Sequence, residues 1–289
     1  MKKSLELPWI SEKKLTVTGL CSAAGMSRQA YAKGLKQRKC QSVDAETILT
    51  LVDEVRALHP EMGAEKLLDK IRPRLEGKSI RIGRDRFYEL LREHDRLILP
   101  KKRYVVTTDS EHGYRVYRNL VNLDEPVEVS RPNQVWVSDI TYLKVGEGFM
   151  FLSLVMDLHS RKIIGHALID TLEAQGPLKA LRQALRQRPP GVDTIHHSDR
   201  GCQYCSHGYI RTLKKAGVRI SMTEKDHCYE NAAAERLNGI LKYEYGLRRR
   251  FLTAREASLA VKQAVWLYND ERPHRALGMK TPTQVHRAA

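Results

Sequence analysis

From Val135 onward the chain alternates between short apolar runs and turn-forming residues. Residues 135–143, 149–158 and 162–169 have strand length and strand composition, with Gly146 and Gly148 punctuating the first junction and His159-Ser160-Arg161 the second. Such short junctions predict three antiparallel neighbours. The spacing then becomes helical over a stretch with Pro177 in its first turn that stops at Pro189-Pro190-Gly191. Residues 194–197 predict a fourth strand, 209–216 a helix ended by Gly217, 218–222 a fifth strand, and the stretch around 231–238 another helix.

The N-terminal half is helical in pattern. Residues 15–37 predict two short helices around Gly25-Met26, with Ser27 as N-cap and Arg28 and Gln29 at the exposed start of the second. This reads equally as a helix-turn-helix, in which Arg28 contacts DNA, or as an ordinary helical hairpin. A second block begins near Ala45, spaces Ile48, Leu51, Val52 and Val55 helically, and breaks at His59-Pro60. The next helix starts at Gly63, carries Leu67, Leu68 and Ile71, and is expected to stop before Pro73. The last, about 84–94, intersperses Arg84, Arg86 and Arg92 with Phe87, Leu90 and Leu91, which suits either a DNA-reading helix or the solvated face of a small bundle.

Residues 99–131 contain Pro100-Lys101-Lys102-Arg103 and few periodic apolar positions, and read as a basic linker. The expected organisation is a helix-turn-helix-like segment at 1–44, a second helical DNA-binding domain at 45–98, the linker at 99–131, and a core with a helical extension at 132–289. Three antiparallel strands followed by helix, strand, helix, strand and helix is the element order of a ribonuclease H-like α/β fold: a mixed five-stranded sheet with flanking helices, here preceded by an all-α region.

Charge narrows the partners. Fifty Lys and Arg against 34 Asp and Glu leave a formal charge of +16, a balance that attracts a polyanion and makes nucleic acid the expected partner. The N-terminus leads into no signal-peptide core and no run of 18 apolar residues occurs, so no membrane role is expected. Five cysteines, an odd number spread along the chain, suit a reducing compartment, and the expected location is cytoplasmic, on the nucleoid.

Three acids lie within this frame in sharply polar surroundings. Asp139 interrupts the first strand, Asp199 follows the fourth, and Glu235 lies on the helix after the fifth. At about 100° per residue, Lys242 falls within about 20° of Glu235 on that helix and Asn238 within about 60°, while Leu237, Ile240 and Leu241 turn away. Carboxylates converging at one sheet edge are what two-metal phosphodiester chemistry needs, and hard oxygen ligands suit Mg²⁺.

The residues Trp136-Val137-Ser138-Asp139-Ile140-Thr141-Tyr142, His197-Ser198-Asp199-Arg200-Gly201-Cys202-Gln203-Tyr204, Asn231-Ala232-Ala233-Ala234-Glu235 with Leu241-Lys242-Tyr243-Glu244, and Tyr268-Asn269-Asp270-Glu271-Arg272-Pro273-His274 resemble the catalytic subunit of bacterial insertion-sequence transposases, relatives of retroviral integrases. Spacings of 60 and 36 residues, with lysine seven beyond the glutamate, resemble the Asp-Asp-Glu signature of that group. The resemblance implies that Asp139, Asp199 and Glu235 bind two Mg²⁺, with Mn²⁺ a substitute, and that Lys242 meets DNA near the reacting phosphate. It implies nicking at element ends, then attack of the freed 3′-hydroxyl on target DNA, by a homo-oligomer holding two ends. It further implies an upstream-frame DNA-binding partner, or a frameshift fusion of which this chain is the catalytic portion.

Departures from the family pattern are Cys202 and Cys205, where small hydroxyl residues are common, and Arg236 beside Glu235, where serine is common. A zinc site using Cys202, Cys205, His227 and Cys228 is conceivable, but one Cys-x-x-Cys pair is weak and incidental substitution is the preferred reading. His197, Asn238 and Arg236 are candidate DNA contacts around the acids, Arg248 and Arg249 belong to a basic run suited to phosphate, and Arg272 either contacts phosphate or caps the domain. Asp157, before a turn, reads as structural. Competing functions are a ribonuclease H-like nuclease without joining, a DNA-binding regulator without catalysis, and a tyrosine recombinase suggested by His197-x-x-Arg200. The last leaves the acids unexplained.

Overall fold

The computed structural model describes residues 17–18, 21, 24–98, 114–121, 127–224 and 232–288. Its N-terminal part is built from α1 (Arg28–Leu58), α2 (Ala64–Glu76) and α3 (Arg84–Glu93). Ser27 caps α1 by accepting from the Ala30 amide at 3.1 Å. With neither Gly nor Pro between residues 35 and 58, α1 runs unbroken through residue 44, so the boundary expected there is an interior helical position. Residues 1–16, where the first expected helix begins, lie outside the described residues.

α2 does not stop before Pro73. It continues to Glu76, because the extra turn buries Leu75 with Leu67, Leu68 and Ile71, which offsets the hydrogen bond proline cannot make. One small core joins the three helices through Leu51, Val52, Phe87 and Leu91.

The larger part is a mixed sheet. Its strands are β1 (Val135–Val145), β2 (Gly148–Asp157), β3 (Ile163–Ile169), β4 (Ile195–Ser198), β5 (Arg219–Met222) and β6 (Arg250–Phe251). The order is β3-β2-β1-β4-β5, with β1-β2 and β2-β3 antiparallel and β1-β4 and β4-β5 parallel. That is the ribonuclease H-like arrangement expected from the element order. The two-residue β6, which pairs with the far end of β1, is too short to leave a periodic signal.

Because side chains alternate across a strand, β1 feeds two cores. Val137 and Leu143 pack under α7 (Ala232–Tyr243) and α8 (Ala254–Trp266) with Leu237, Leu241 and Val261. Trp136, on the other face, packs under α4 (Gln175–Gln187) and α6 (His207–Lys215) with Leu181, Tyr209 and Leu213. The one-turn α5 (Cys202–Cys205) and the terminal α9 (Pro282–Arg287) complete the core. Part of the expected linker belongs here too. Tyr117 packs on the second core, Asn119 is buried, and the Leu120 amide donates to Ser221 Oγ of β5 at 2.8 Å. Residues 99–113 and 122–126 lie outside the described residues.

α4 lies against β3 at Gly165. A β-carbon there would stand 2.1 Å from the Ala180 carbonyl oxygen, a backbone atom that moves only with the helix. Gly165→Ala is therefore expected to cost about 1–3 kcal/mol, read as a lowered urea midpoint at unchanged m-value.

Asp157 ends β2 as the hub of the turn into β3. Its Oδ2 accepts from the Asn133 amide at 2.7 Å, and its Oδ1 accepts from the Ser160 amide at 2.8 Å and hydroxyl at 2.5 Å. Burial alone would raise its pKa, but His286 and these donors hold it below the usual value. Its role is structural, as expected.

Candidate active site

The parallel register of β1 and β4 pairs Val137 with His197. Two residues further along each chain stand Asp139 and Asp199, so the two carboxylates leave neighbouring strands at one sheet edge. α7 packs on the same face of β1 and brings Glu235, Asn238 and Lys242 there at helical spacing. Asp139 and Asp199 are half-buried, and Glu235 is exposed.

Asp139 is the best held of the three. Its Oδ1 accepts from the Ile140 amide at 2.9 Å, and its Oδ2 from Asn238 Nδ2 at 2.6 Å. Its pKa is nevertheless pushed up to about 7: burial contributes most, then Asp199, with Glu235 adding to them against the two donors. Asp199 Oδ1 accepts from the Gly201 amide at 3.0 Å, and a β-carbon at Gly201 would come within 3.1 Å of that oxygen. Glycine lets this backbone approach.

These features fit a divalent cation. Hard oxygen donors and a like-charge excess on a buried carboxyl describe a site that a cation would neutralise. Among the described residues no three His, Cys, Asp or Glu side chains are already gathered closely enough to hold a metal by themselves.

Asn238, expected to face DNA, is instead buried and bonded to Asp139. His197 is also corrected from DNA contact to interior group: it is fully buried, with Nδ1 2.8 Å from Ser221 Oγ. Its neighbour His196 is buried between Ser138 Oγ at 2.7 Å and Tyr209 OH at 2.8 Å, and burial pushes its pKa down to about 3. Lys242 stays at the site, its Nζ 4.4 Å from the centre of the Tyr142 ring. Arg28, Arg236, Arg248 and Arg249 are exposed.

The Cys-x-x-Cys pair points two ways. Cys202 is exposed, whereas Cys205 is buried with Sγ 3.7 Å from both the Arg200 carbonyl and Met222 sulfur. Burial pushes the Cys205 thiol up to about 11, away from the thiolate that zinc binds. His227 and Cys228 lie outside the described residues.

Arg272, expected either to contact phosphate or to cap the domain, has its guanidinium buried and grips Glu244 with two bonds, Nε to Oε2 at 2.7 Å and Nη2 to Oε1 at 2.8 Å. Glu244 directly follows the last residue of α7, and its pKa is held down against burial chiefly by Arg272, then by Lys66. Lys66 Nζ, from α2, approaches the same carboxylate at 3.4 Å, Lys70 pairs with Glu271 at 2.7 Å, and His59 Nδ1 lies 3.2 Å from Tyr245 OH. The helical unit is thus fastened to the core at Glu244 and Tyr245, just past α7, and at Glu271. In the sequence Lys66 looks like a routine charge on a helix, and Glu244 appears only as the last residue of the Leu241-Lys242-Tyr243-Glu244 motif.

Two integrase core domain families match the chain, one over residues 129–228 and the other over 216–282. The chain is 31% identical over 264 residues to an insertion element IS600 uncharacterized 31 kDa protein of Shigella sonnei, covering 91% of this chain and 96% of that one. It is 38% identical over 174 residues to transposase InsF for insertion sequence IS3A of Escherichia coli (strain K12), 60% of each chain. With the transposase for insertion sequence element IS629 of Shigella sonnei it shares 35% identity over 61% of its own length and 57% of that protein's. The chain therefore spans about three fifths of those two transposases. Among solved structures, the HTLV-2 integrase catalytic core domain in complex with magnesium has a TM-score of 0.44 and 19% identity, covering 54% of this chain and 98% of that one. No helix among the described residues is long and apolar enough to cross a membrane. Because the match to the 31 kDa insertion-element protein takes in nearly the whole of both chains, this chain belongs to the IS3-type insertion-sequence transposases, within the Asp-Asp-Glu transposase and integrase superfamily.

Proposed function

We propose that the chain catalyses Mg²⁺-dependent nicking at the 3′ ends of an insertion element and transfer of the freed 3′-hydroxyl to a target strand. The observation that carries this reading is the placement of the three acids: Asp139 and Asp199 follow paired positions of the parallel strands β1 and β4, and α7, which carries Glu235, is bonded to Asp139 through Asn238. Asp139, Asp199 and Glu235 would hold the cations. Bound Mg²⁺ supplies activation of the attacking oxygen and stabilisation of the leaving one.

The protein's own residues prepare that site. The Ile140 amide and Asn238 fix the Asp139 carboxylate in orientation while leaving each oxygen a further lone pair. The Gly201 amide does the same for Asp199. Lys242 supplies positive charge beside the carboxylates where a scissile phosphate would lie, and Arg236, Arg248 and Arg249 offer phosphate contacts around it. Arg28 would serve element-end binding by the helical unit. Two ends must be joined to one target, so a homo-oligomer on DNA is the working form.

The test incubates purified protein with labelled element-end duplex and a target plasmid, with Mg²⁺ or with chelator. Nicked ends and joined products are expected only with the metal. DNA binding without any metal-dependent product would replace this reading with that of a regulator.

A further inference from the structure

Beyond the carboxylates, the turn end of the β1-β2 hairpin carries an exposed aromatic and cationic face. Register places Lys144 opposite Phe149 on β2 and opposite Arg250 on β6, so these three share a face with Tyr142, two residues before Lys144. The other face of this segment buries Leu143. Tyr142 is 42% exposed and Phe149 52%, and their rings meet edge to face at 5.3 Å. Lys144 and Arg250 are exposed beside them. Arg250 pairs with Glu147 at 3.0 Å, and Glu147 is itself almost wholly exposed. Lys242 joins this face to the candidate site, since it lies on α7 seven residues past Glu235 and its Nζ sits 4.4 Å from the centre of the Tyr142 ring.

Two large rings left in water amid cations are poorly explained by packing. A second copy of this chain, itself at +16, would bring more positive charge to a positive face. A nucleic acid strand supplies both missing complements, because every base offers a π-face and every linkage an anion. Resting on the proposed function and extending its substrate site, we propose that Tyr142 and Phe149 form a ledge that stacks an unpaired nucleobase of the strand held at Asp139. Lys144 and Lys242 take the phosphates flanking that base.

The test uses the full chain and the element's own end DNA, intact or carrying a single abasic nucleotide at each position near the nick in turn. Affinity is read by fluorescence anisotropy and joining by product formation with Mg²⁺. Removing the stacked base is expected to weaken binding by wild type about 5- to 100-fold at one position. In Tyr142→Leu with Phe149→Leu, intact DNA should bind weaker by a comparable factor, and the abasic nucleotide at that position should cost nothing more. Tyr142→Trp should keep the wild-type sensitivity. Should the double variant not fold, Phe149→Leu alone, at a half-exposed position, should show a partial loss of sensitivity. An abasic penalty equal in wild type and leucine variants, or none at any position in wild type, overturns the ledge. Absence of metal-dependent product from wild type overturns the proposed function instead, while the anisotropy comparison still decides the ledge.

Discussion

Asp139→Asn abolishes nicking and joining by at least about 10³-fold, while binding of element-end DNA is retained. Losing the carboxylate that both neighbours surround removes about 4 kcal/mol or more of transition-state stabilisation. The substitution is tolerated by the fold. Asparagine keeps an acceptor for the Ile140 amide, and its new amide meets the Asn238 side chain, whose Oδ1 is buried without a hydrogen-bond partner among the described residues. A turn of the Asn238 amide restores the bond with donor and acceptor exchanged. Thermal unfolding of the metal-free proteins provides an independent check. A carboxyl at about 7 lends stability while protonated, and that contribution is lost as pH rises from near 4 through 7. Metal-free Asp139→Asn should therefore gain melting temperature over wild type, more at pH 8 than at pH 5. Glu235→Gln should match the loss of activity, and the double variant should be hardly worse than either, as for residues acting as one unit. Retained joining by Asp139→Asn would remove the two-metal account.

Arg272→Met lowers stability by about 3–5 kcal/mol, the cost of leaving one member of a buried ion pair alone. The side chains of Arg272 and Glu244 are 4% and 18% exposed, so solvent screens their two bonds little. Methionine fills much of the volume, which limits the cavity contribution and isolates the electrostatic one. Adding Glu244→Leu should recover part of the loss, because the carboxylate left without Arg272 is removed, while Lys66, which then loses its partner, keeps a fifth of its side chain in solvent. Urea unfolding of the four proteins closes the cycle, with a positive coupling between the two positions expected. Additive losses would show that Arg272 acts through other neighbours, such as His274, whose Nε2 lies 3.0 Å from Nη1.

The sheet was readable in the sequence because its signals are local. Gly146, the His159-Ser160-Arg161 turn and Gly217 punctuate segments whose apolar residues fall on strand and helix periods. Asp139, Asp199 and Glu235 stand out in the sequence because each places a charge beside or within such a segment. What escaped depends on partners distant in sequence. Arg272 beside proline looks like a surface cation until Glu244, 28 residues earlier, is brought against it. His197 looks like a strand-end ligand until Ser221 of β5 closes over it. Asn238 was found on the right helix face, but helical angle alone could not tell a group bonded to Asp139 from one facing DNA. Helix ends failed for a related reason, since α2 passes Pro73 to bury Leu75 in a core assembled from other helices.

The carboxylate of Glu244 accepts from both Arg272 of the core and Lys66 of the helical unit. One acid thus serves two parts of the chain, which limits how freely those parts can be exchanged. A hybrid that keeps this core but takes its N-terminal helices from another protein leaves the Glu244 carboxylate with one donor missing, unless the incoming segment also carries a cation at the place of Lys66.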